Sequence, residues 1–351
     1  MSRVLIVRLD SLGDVLLSGP AVRAVAAAPE VESVWMLCGS AGAPAAQLLP
    51  GVDDVIVWDC PWIAVDPPPV SRESIEWVQN AVREPGFDRA IVLTSFHQSP
   101  LPIALVLRLA GIPHITGASV DHAGRLLDAR LIPGSTLDED LPEPERALAI
   151  AAAAGFSLPA DDDGRLAVTG IGPAFDELGV TSPVVVVHPG ASAPARCWPP
   201  GSAAAAVRML HHGGWSVVVT GGPAERTLTA MVSHRGRYAR DLGGRLPLPE
   251  FAALLARADV LVCGNTGPAH LAAAVGTPVV SLFSPVVAAQ RWRPYRVPHV
   301  LLGDQFAPCR DSRARECPVP GHPCLASVSP ADVVAACEAL VRAGAVQEAL
   351  A

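Results

Sequence analysis

The chain has 351 residues, 50% hydrophobic and 17% charged, with a formal net charge of -8. This composition supports two ordinary domains with separate cores and excludes a disordered or fibrous protein. With the acidic balance and no Lys/Arg run, neither nucleic acid nor a polybasic membrane contact is indicated.

The opening MSRVLIVRLD is too short and too charged for a signal-peptide core. No run of about 18 apolar residues follows, so no transmembrane segment and a cytoplasmic location are expected. Residues 4–7 form a continuous apolar run, the pattern of a buried parallel strand. The loop after it holds Asp10, Ser11, Gly13 and Asp14. A helix then begins either at Gly13, kinking at Pro20, or at Pro20 itself. Open α/β sheets place ligands at the carboxyl ends of strands, where this loop sits. Asp14 could there accept a proton from a substrate hydroxyl; read locally, a helix cap is the simpler role.

Strands are expected over 34–38, 55–59 and 90–94, and helices over 74–83 and 104–110. Three prolines after Asp66 make 60–73 a surface loop. SFHQSP follows the 90–94 strand and brings His97 and Gln98 to the rim shared with Asp14, as candidate acceptor contacts or as bystanders. The stretch 133–144 is acidic and leads into a helix over 145–154, and the DDD at 161–163 reads as a solvated run. Gly, Pro and Asp alternate through 157–183, which marks a domain boundary. The expected division is 1–165, a linker over 166–183, and 184–351, whose last helix is free to pack back on the first domain.

The second half repeats the βα pattern. VVVVHPGASAPARCWPP is a strand and loop carrying Ser192, Arg196 and Trp198 ahead of a helix over 203–210. A strand over 215–220 leads to GGPAERTL, with Glu225 in the first turn of a helix. A helix over 248–258 precedes VLVCGNTGPAHLAAAVGTPVVSLF, read as strand, loop, helix entered through Pro268 and closed near Gly276, then strand. The GNTGPAH loop offers backbone N–H groups at a helix N-terminus, the Thr266 hydroxyl and His270, an arrangement that favours phosphate. The bland alternative is a turn capped by Thr266 with His270 on the surface. Near the end, Cys309, Cys317, His322 and Cys324 could ligate a metal, but no CxxC pair is present and a packed loop is expected instead. The eight scattered cysteines do not make a secreted disulfide framework. Two successive α/β sets imply two facing Rossmann-like domains with an interdomain cleft.

Three segments, IVRLDSLGDVLLSGPAVRAV, HPGASAPARCWPP and GNTGPAHLAAAVGTPVVSLFSP, together resemble the heptosyltransferases of glycosyltransferase family 9. The resemblance covers nearly the whole chain. It implies a GT-B fold and an inverting, metal-independent transfer of a sugar, a heptose from ADP-heptose in the best known members, to a hydroxyl on a glycan, glycolipid or small molecule. It implies no cofactor beyond the nucleotide-sugar co-substrate, and a monomer is expected. Asp14 matches the family's SxGD aspartate and would be the general base, with Ser11 and Gly13 beside it. Arg196 falls where the family places a cation facing the diphosphate, and Glu225 resembles the acidic residue on the nucleotide ribose. Thr266, Gly267, Pro268 and His270 match the DTGxxH element around the phosphates, and Ser192 lies in the adjoining loop. Asn265 departs from the family's aspartate, keeping hydrogen-bonding ability and losing charge, which bears on the donor sugar.

Residue chemistry points the same way: an inverting displacement needs a base on the acceptor side and positive potential at the leaving group. No DxD-like pair stands where it would hold a metal against a diphosphate. Two other readings remain open, a nucleotide-sugar epimerase of similar architecture and a nucleotide-sugar-binding protein without transfer activity. A dinucleotide dehydrogenase is disfavoured because no GxGxxG follows either opening strand.

Overall fold

The computed structural model describes residues 1–64, 66–173 and 182–350, with side chains as far as Gly344. The chain divides into two compact units, Met1–Thr169 and Gly170–Ala351. Of the linker expected over 166–183, positions 174–181 lie outside the described residues. At its described margin Thr169 N–H donates to Leu48 O at 2.8 Å, within the first unit. Gly172 N–H donates to Pro249 O at 2.9 Å, within the second.

The first unit is a parallel sheet of β1 (Ser2–Val7), β2 (Val31–Cys38), β3 (Asp54–Val57), β4 (Arg89–Val92), β5 (His114–Ala118) and β6 (Ala129–Leu131), in the order β3-β2-β1-β4-β5-β6. Its helices are α1 (Leu12–Leu17), α2 (Gly19–Ala26), α3 (Ala43–Ala46), α4 (Arg72–Arg83), α5 (Leu101–Leu109) and α6 (Glu143–Ala153). The second unit has β7 (Val184–His188), β8 (Ser216–Val219), β9 (Arg240–Asp241), β10 (Val260–Gly264), β11 (Val279–Leu282) and β12 (His299–Leu302), in the order β12-β11-β10-β7-β8-β9. Its helices are α7 (Pro200–His212), α8 (Arg226–Val232), α9 (Leu248–Arg257), α10 (Gly267–Ala274), α11 (Ala289–Trp292), α12 (Pro323–Ala326) and α13 (Pro330–Leu350).

Numbered from its own first strand, each sheet has the order 3-2-1-4-5-6. In both, the first strand pairs with the fourth, β1 with β4 and β7 with β10. Chain direction across the sheet reverses there, opening the crevice in which doubly wound sheets bind ligands. The central strands are legible because helices cover both faces, so Val4–Val7, Val184–Val187 and Val260–Cys263 are buried without alternation.

Three strands escaped the sequence reading: β6, β9 and β12 are short edge strands whose residues are mostly half-buried, and only β12 carries an apolar run, the three residues 300–302. The first helix takes both of its expected starts. Pro20 has no N–H to give to Leu16 and its ring would press on that carbonyl. The chain therefore breaks at Ser18, whose Oγ donates to Val15 O at 2.6 Å, and restarts as α2. The final helix runs past the expected 343 and packs on α7 and on β10, β11 and β12 of its own unit. Among the described residues no helix is long and apolar enough to cross a membrane.

Candidate active site

In the first unit the β1–α1 loop and the β4–α5 loop flank the reversal point, and they converge on one buried cation. Arg8, directly after β1, is 3% exposed. Its Nη2 lies 3.0 Å from Asp14 Oδ1, its Nε 2.9 Å from Asp10 Oδ2, and its Nη2 3.4 Å from Glu143 Oε2 at the start of α6. Nη2 also donates to Ser95 Oγ at 2.8 Å. Ser11 Oγ donates to the other oxygen of Asp14 at 2.8 Å. Gln98 closes the ring: its Nε2 donates to Asp10 Oδ1, and its Oε1 accepts from Ser95 N–H at 3.1 Å.

One guanidinium thus faces three carboxylates. Burial pushes the Asp10 carboxyl upward, with Asp14 adding to the shift and Arg8 opposing it. Burial likewise raises Glu143, against the pull of Arg8. The guanidinium itself is desolvated, but the three acids outweigh that loss and raise its pKa further. The capping role considered for Asp14 does not hold, since the N-cap of α1 is Ser11 and Asp14 stands two residues inside the helix start. His97 is exposed on the loop, whereas Gln98 is half-buried in the network.

In the second unit the corresponding loops follow β7 and β10. The β10–α10 loop places Asn265 and Thr266 ahead of Gly267 and Pro268, with His270 in the first turn of α10. The bland reading of this loop fails on both counts: Thr266 is the N-cap but makes no side-chain capping bond, and His270 is 5% exposed. Asn265 is 4% exposed, and neither its Oδ1 nor its Nδ2 has a hydrogen-bond partner among the described residues. Leaving a buried amide unsatisfied costs about 1–3 kcal/mol per group, so such a side chain is expected where a ligand supplies the partner.

Arg196 ends a 3-10 turn, Pro194–Arg196, and its Nη1 donates to Asn265 O at 3.5 Å. A Cβ on Gly264 would stand 2.7 Å from Arg196 O, so the glycine permits this close approach. Glu225 closes a second 3-10 turn, Pro223–Glu225, and is the N-cap of α8 rather than a member of its first turn. Its Oε2 accepts from Gly222 N–H at 2.7 Å and lies 3.7 Å from His188 Nε2 at the end of β7. Burial lowers the His188 pKa, which Glu225 partly offsets. Ser192 is exposed, and its carbonyl accepts from Arg315 Nη2 at 3.2 Å.

Sequence reasoning missed Arg8 and Glu143. Arg8 reads as the polar end of an apolar strand, and Glu143 belongs to the acidic stretch ahead of the 145–154 helix, yet it is 2% exposed. The DDD run is likewise not wholly solvated, because Arg23 grips Asp162 through Nε at 2.6 Å and Nη2 at 2.8 Å. All eight cysteines are free. The segment carrying Cys309, Cys317 and Cys324 braces the Arg196 turn. His322 Nε2 donates to Ala195 O at 3.1 Å, and Ala195 N–H donates to Arg315 O at 2.8 Å. Among the described residues no cluster of three or more His, Cys, Asp or Glu is placed to hold a metal ion.

Comparison with known proteins bears on this arrangement. Residues 77–321 match the model of glycosyltransferase family 9 (heptosyltransferase). Lipopolysaccharide heptosyltransferase 3 of Escherichia coli is 33% identical over 175 residues, 48% of this chain and 49% of that protein. The chain thus matches about half the length of that relative. Lipopolysaccharide heptosyltransferase 2 of E. coli K12 is 25% identical over 310 residues, 81% of this chain and 83% of that protein. Among solved structures, E. coli ADP-heptose lps heptosyltransferase II superposes with a TM-score of 0.72 at 22% identity, covering 97% of this chain and 99% of the other. That likeness, with the two parallel six-stranded sheets, shows the GT-B class expected from the sequence.

Proposed function

The chain belongs to glycosyltransferase family 9, and from that premise we propose that it is an inverting, metal-independent transferase moving a heptose from ADP-heptose to a hydroxyl acceptor. The observation that carries the reading is the pairing of chemistries at the two reversal points. The first unit presents a carboxylate, Asp14, and the second a helix start flanked by Arg196 and His270.

In this mechanism Asp14 removes the proton of the acceptor hydroxyl as its oxygen attacks the anomeric carbon through an oxocarbenium-like state. The ADP leaving group develops negative charge on its diphosphate. The N-terminal N–H groups of α10, with Arg196 and His270, supply fixed positive potential for it. Glu225 binds the ribose hydroxyls. Asn265, whose amide has no hydrogen-bond partner among the described residues, supplies a neutral donor and acceptor to the sugar or phosphate. The acceptor is a glycan, glycolipid or small molecule, the expected setting is the cytoplasm, and the working form is a monomer. The family match and the curated relatives favour a transferase over the epimerase and the pure binding protein.

The test is direct. Purified protein is incubated with ADP-heptose and a panel of acceptors, with and without excess chelator, and ADP release and the anomeric configuration of the product are read. Transfer with inverted configuration that survives chelation is expected. Retained configuration, or strict dependence on added divalent metal, would sink the mechanism.

A further inference from the structure

Three stretches far apart in the sequence meet at Arg8: the β1–α1 connection, the loop after β4 and the start of α6. A structural ion pair in a protein interior needs one carboxylate per cation, because each further buried charge carries a desolvation cost. Here Arg8 meets three carboxylates, with the buried Arg146 guanidinium also acting on Glu143, and the reading of Asp14 as base gives the remaining excess a purpose. We propose that Arg8 is the positioning residue of the transfer step, fixing the direction of the Asp14 carboxylate and holding it unprotonated, while Glu143 sets how much of the guanidinium charge Asp14 receives. The inference rests on the transferase reading above.

The geometry gives the two oxygens of Asp14 different duties. Oδ1 is held by Arg8 at 3.0 Å and Oδ2 accepts from Ser11 at 2.8 Å, so both oxygens of the carboxylate are held. Asp10 and Glu143 place carboxyl groups in the same cluster as Asp14, and Arg8 places a positive charge against it. A base must be ionised before the reaction and still accept a proton during it, and opposing charges of this kind meet both needs. When the acceptor O–H bond breaks, its proton passes to Asp14 and its electron pair forms the glycosidic bond. The cluster then loses one unit of negative charge in a crowded site. Burial raises Asp10 and Glu143, and Arg8 opposes the rise in both.

Among the described residues, other titratable groups stand on the elements packed around Asp14. On α6 they are Glu145 and Arg146 besides Glu143, and on α2 there is Arg23, which Asp162 holds. The helix α3 carries none, the β4–α5 loop carries His97, and the Cys60 thiol lies near enough to Asp10 to feel its charge.

The experiment measures kcat and donor KM against pH for the wild type, Arg8→Gln, Arg8→Lys and Glu143→Gln in the full chain. An opposite charge within hydrogen-bond reach depresses a carboxyl by about 1–3 pH units. Arg8→Gln is therefore expected to move the acid limb of kcat upward by about that much, with donor KM within twofold of wild type. Arg8→Lys should restore most of the limb. Glu143→Gln removes a competitor for the guanidinium and should move the limb downward, a sign opposite to that of Arg8→Gln which general loosening of the fold does not produce. If Arg8→Gln fails to fold, the downward displacement expected of Glu143→Gln, beside an Arg8→Lys limb near that of the wild type, decides the matter. Acid limbs that stay put in the folded variants, or move in one direction, overturn the proposal while wild-type transfer leaves the functional reading intact. An inactive wild type overturns the functional reading, and this inference with it.

Discussion

Gly190 follows β7 in the HPG turn, and a methyl group there tests how the second unit holds its acid. A Cβ at this position would lie 1.7 Å from Glu225 Oε1 and 2.3 Å from its Cδ, closer than atoms can approach. The obstructing group is the far end of a flexible side chain, so in Gly190→Ala the backbone can stay and the Glu225 carboxylate must swing away. It then gives up the 2.7 Å bond from Gly222 N–H and its place 3.7 Å from His188. Losing the capping bond costs the fold about 1 kcal/mol. Losing a charged hydrogen-bond partner for the ribose costs about 1.5–3 kcal/mol of binding, which is roughly a 10- to 100-fold rise in the Kd for ADP. The assay is titration calorimetry with ADP beside a thermal melt, and Gly201→Ala, where nothing stands within 4 Å of the added methyl, is the control. Unchanged ADP affinity in Gly190→Ala would refute the argument that Glu225 grips nucleotide from this position.

Three further expectations follow from the same geometry. Asp14→Asn should lower turnover by about 10²- to 10⁴-fold, the usual worth of a general base, with ADP-heptose affinity unchanged; near-normal turnover would remove Asp14 from the chemistry. In Gly264→Ala the new methyl meets a backbone oxygen, Arg196 O at 2.7 Å, which no side-chain rotation relieves. The second unit should lose about 1–3 kcal/mol together with ADP affinity, and an unaltered melt would contradict the close approach. Finally, His188 is depressed by burial, so below an unfolded value of about 6.5 the unfolded chain binds a proton that the folded chain refuses. Stability should fall as pH drops through that value toward the lower folded one, by at most about 1.4 kcal/mol per pH unit, and the slope should flatten in His188→Gln. Identical pH–melting profiles for the two proteins would count against a buried, neutral His188.

How far the sequence could be read depended on whether a feature was local. β1, β7 and β10 announce themselves because a strand covered on both faces has no polar alternation to confuse the eye. The edge strands β6 and β9 lack that signal, being three and two residues long with polar members. In the site, Asp14 and the Asn265–His270 loop were found because their spacing along the chain is itself the motif. Arg8 was not found, since its meaning lies in Glu143, 135 residues onward, within a stretch that looks like ordinary acidic surface. Asp162 was misjudged for the same reason, its partner Arg23 being 139 residues away. Electrostatic partnership across such distances leaves no periodic trace.

The repeated strand order has a bearing on how such a protein can diversify. Each half assembles its candidate groups from its own loops, so a change in one catalogue of loops leaves the other's groups standing. A hybrid joined at the short stretch between Thr169 and Gly172 should therefore inherit its choice of alcohol from one parent and its choice of nucleotide from the other. Lineages could in this way exchange recipients while keeping a common currency of activated sugar.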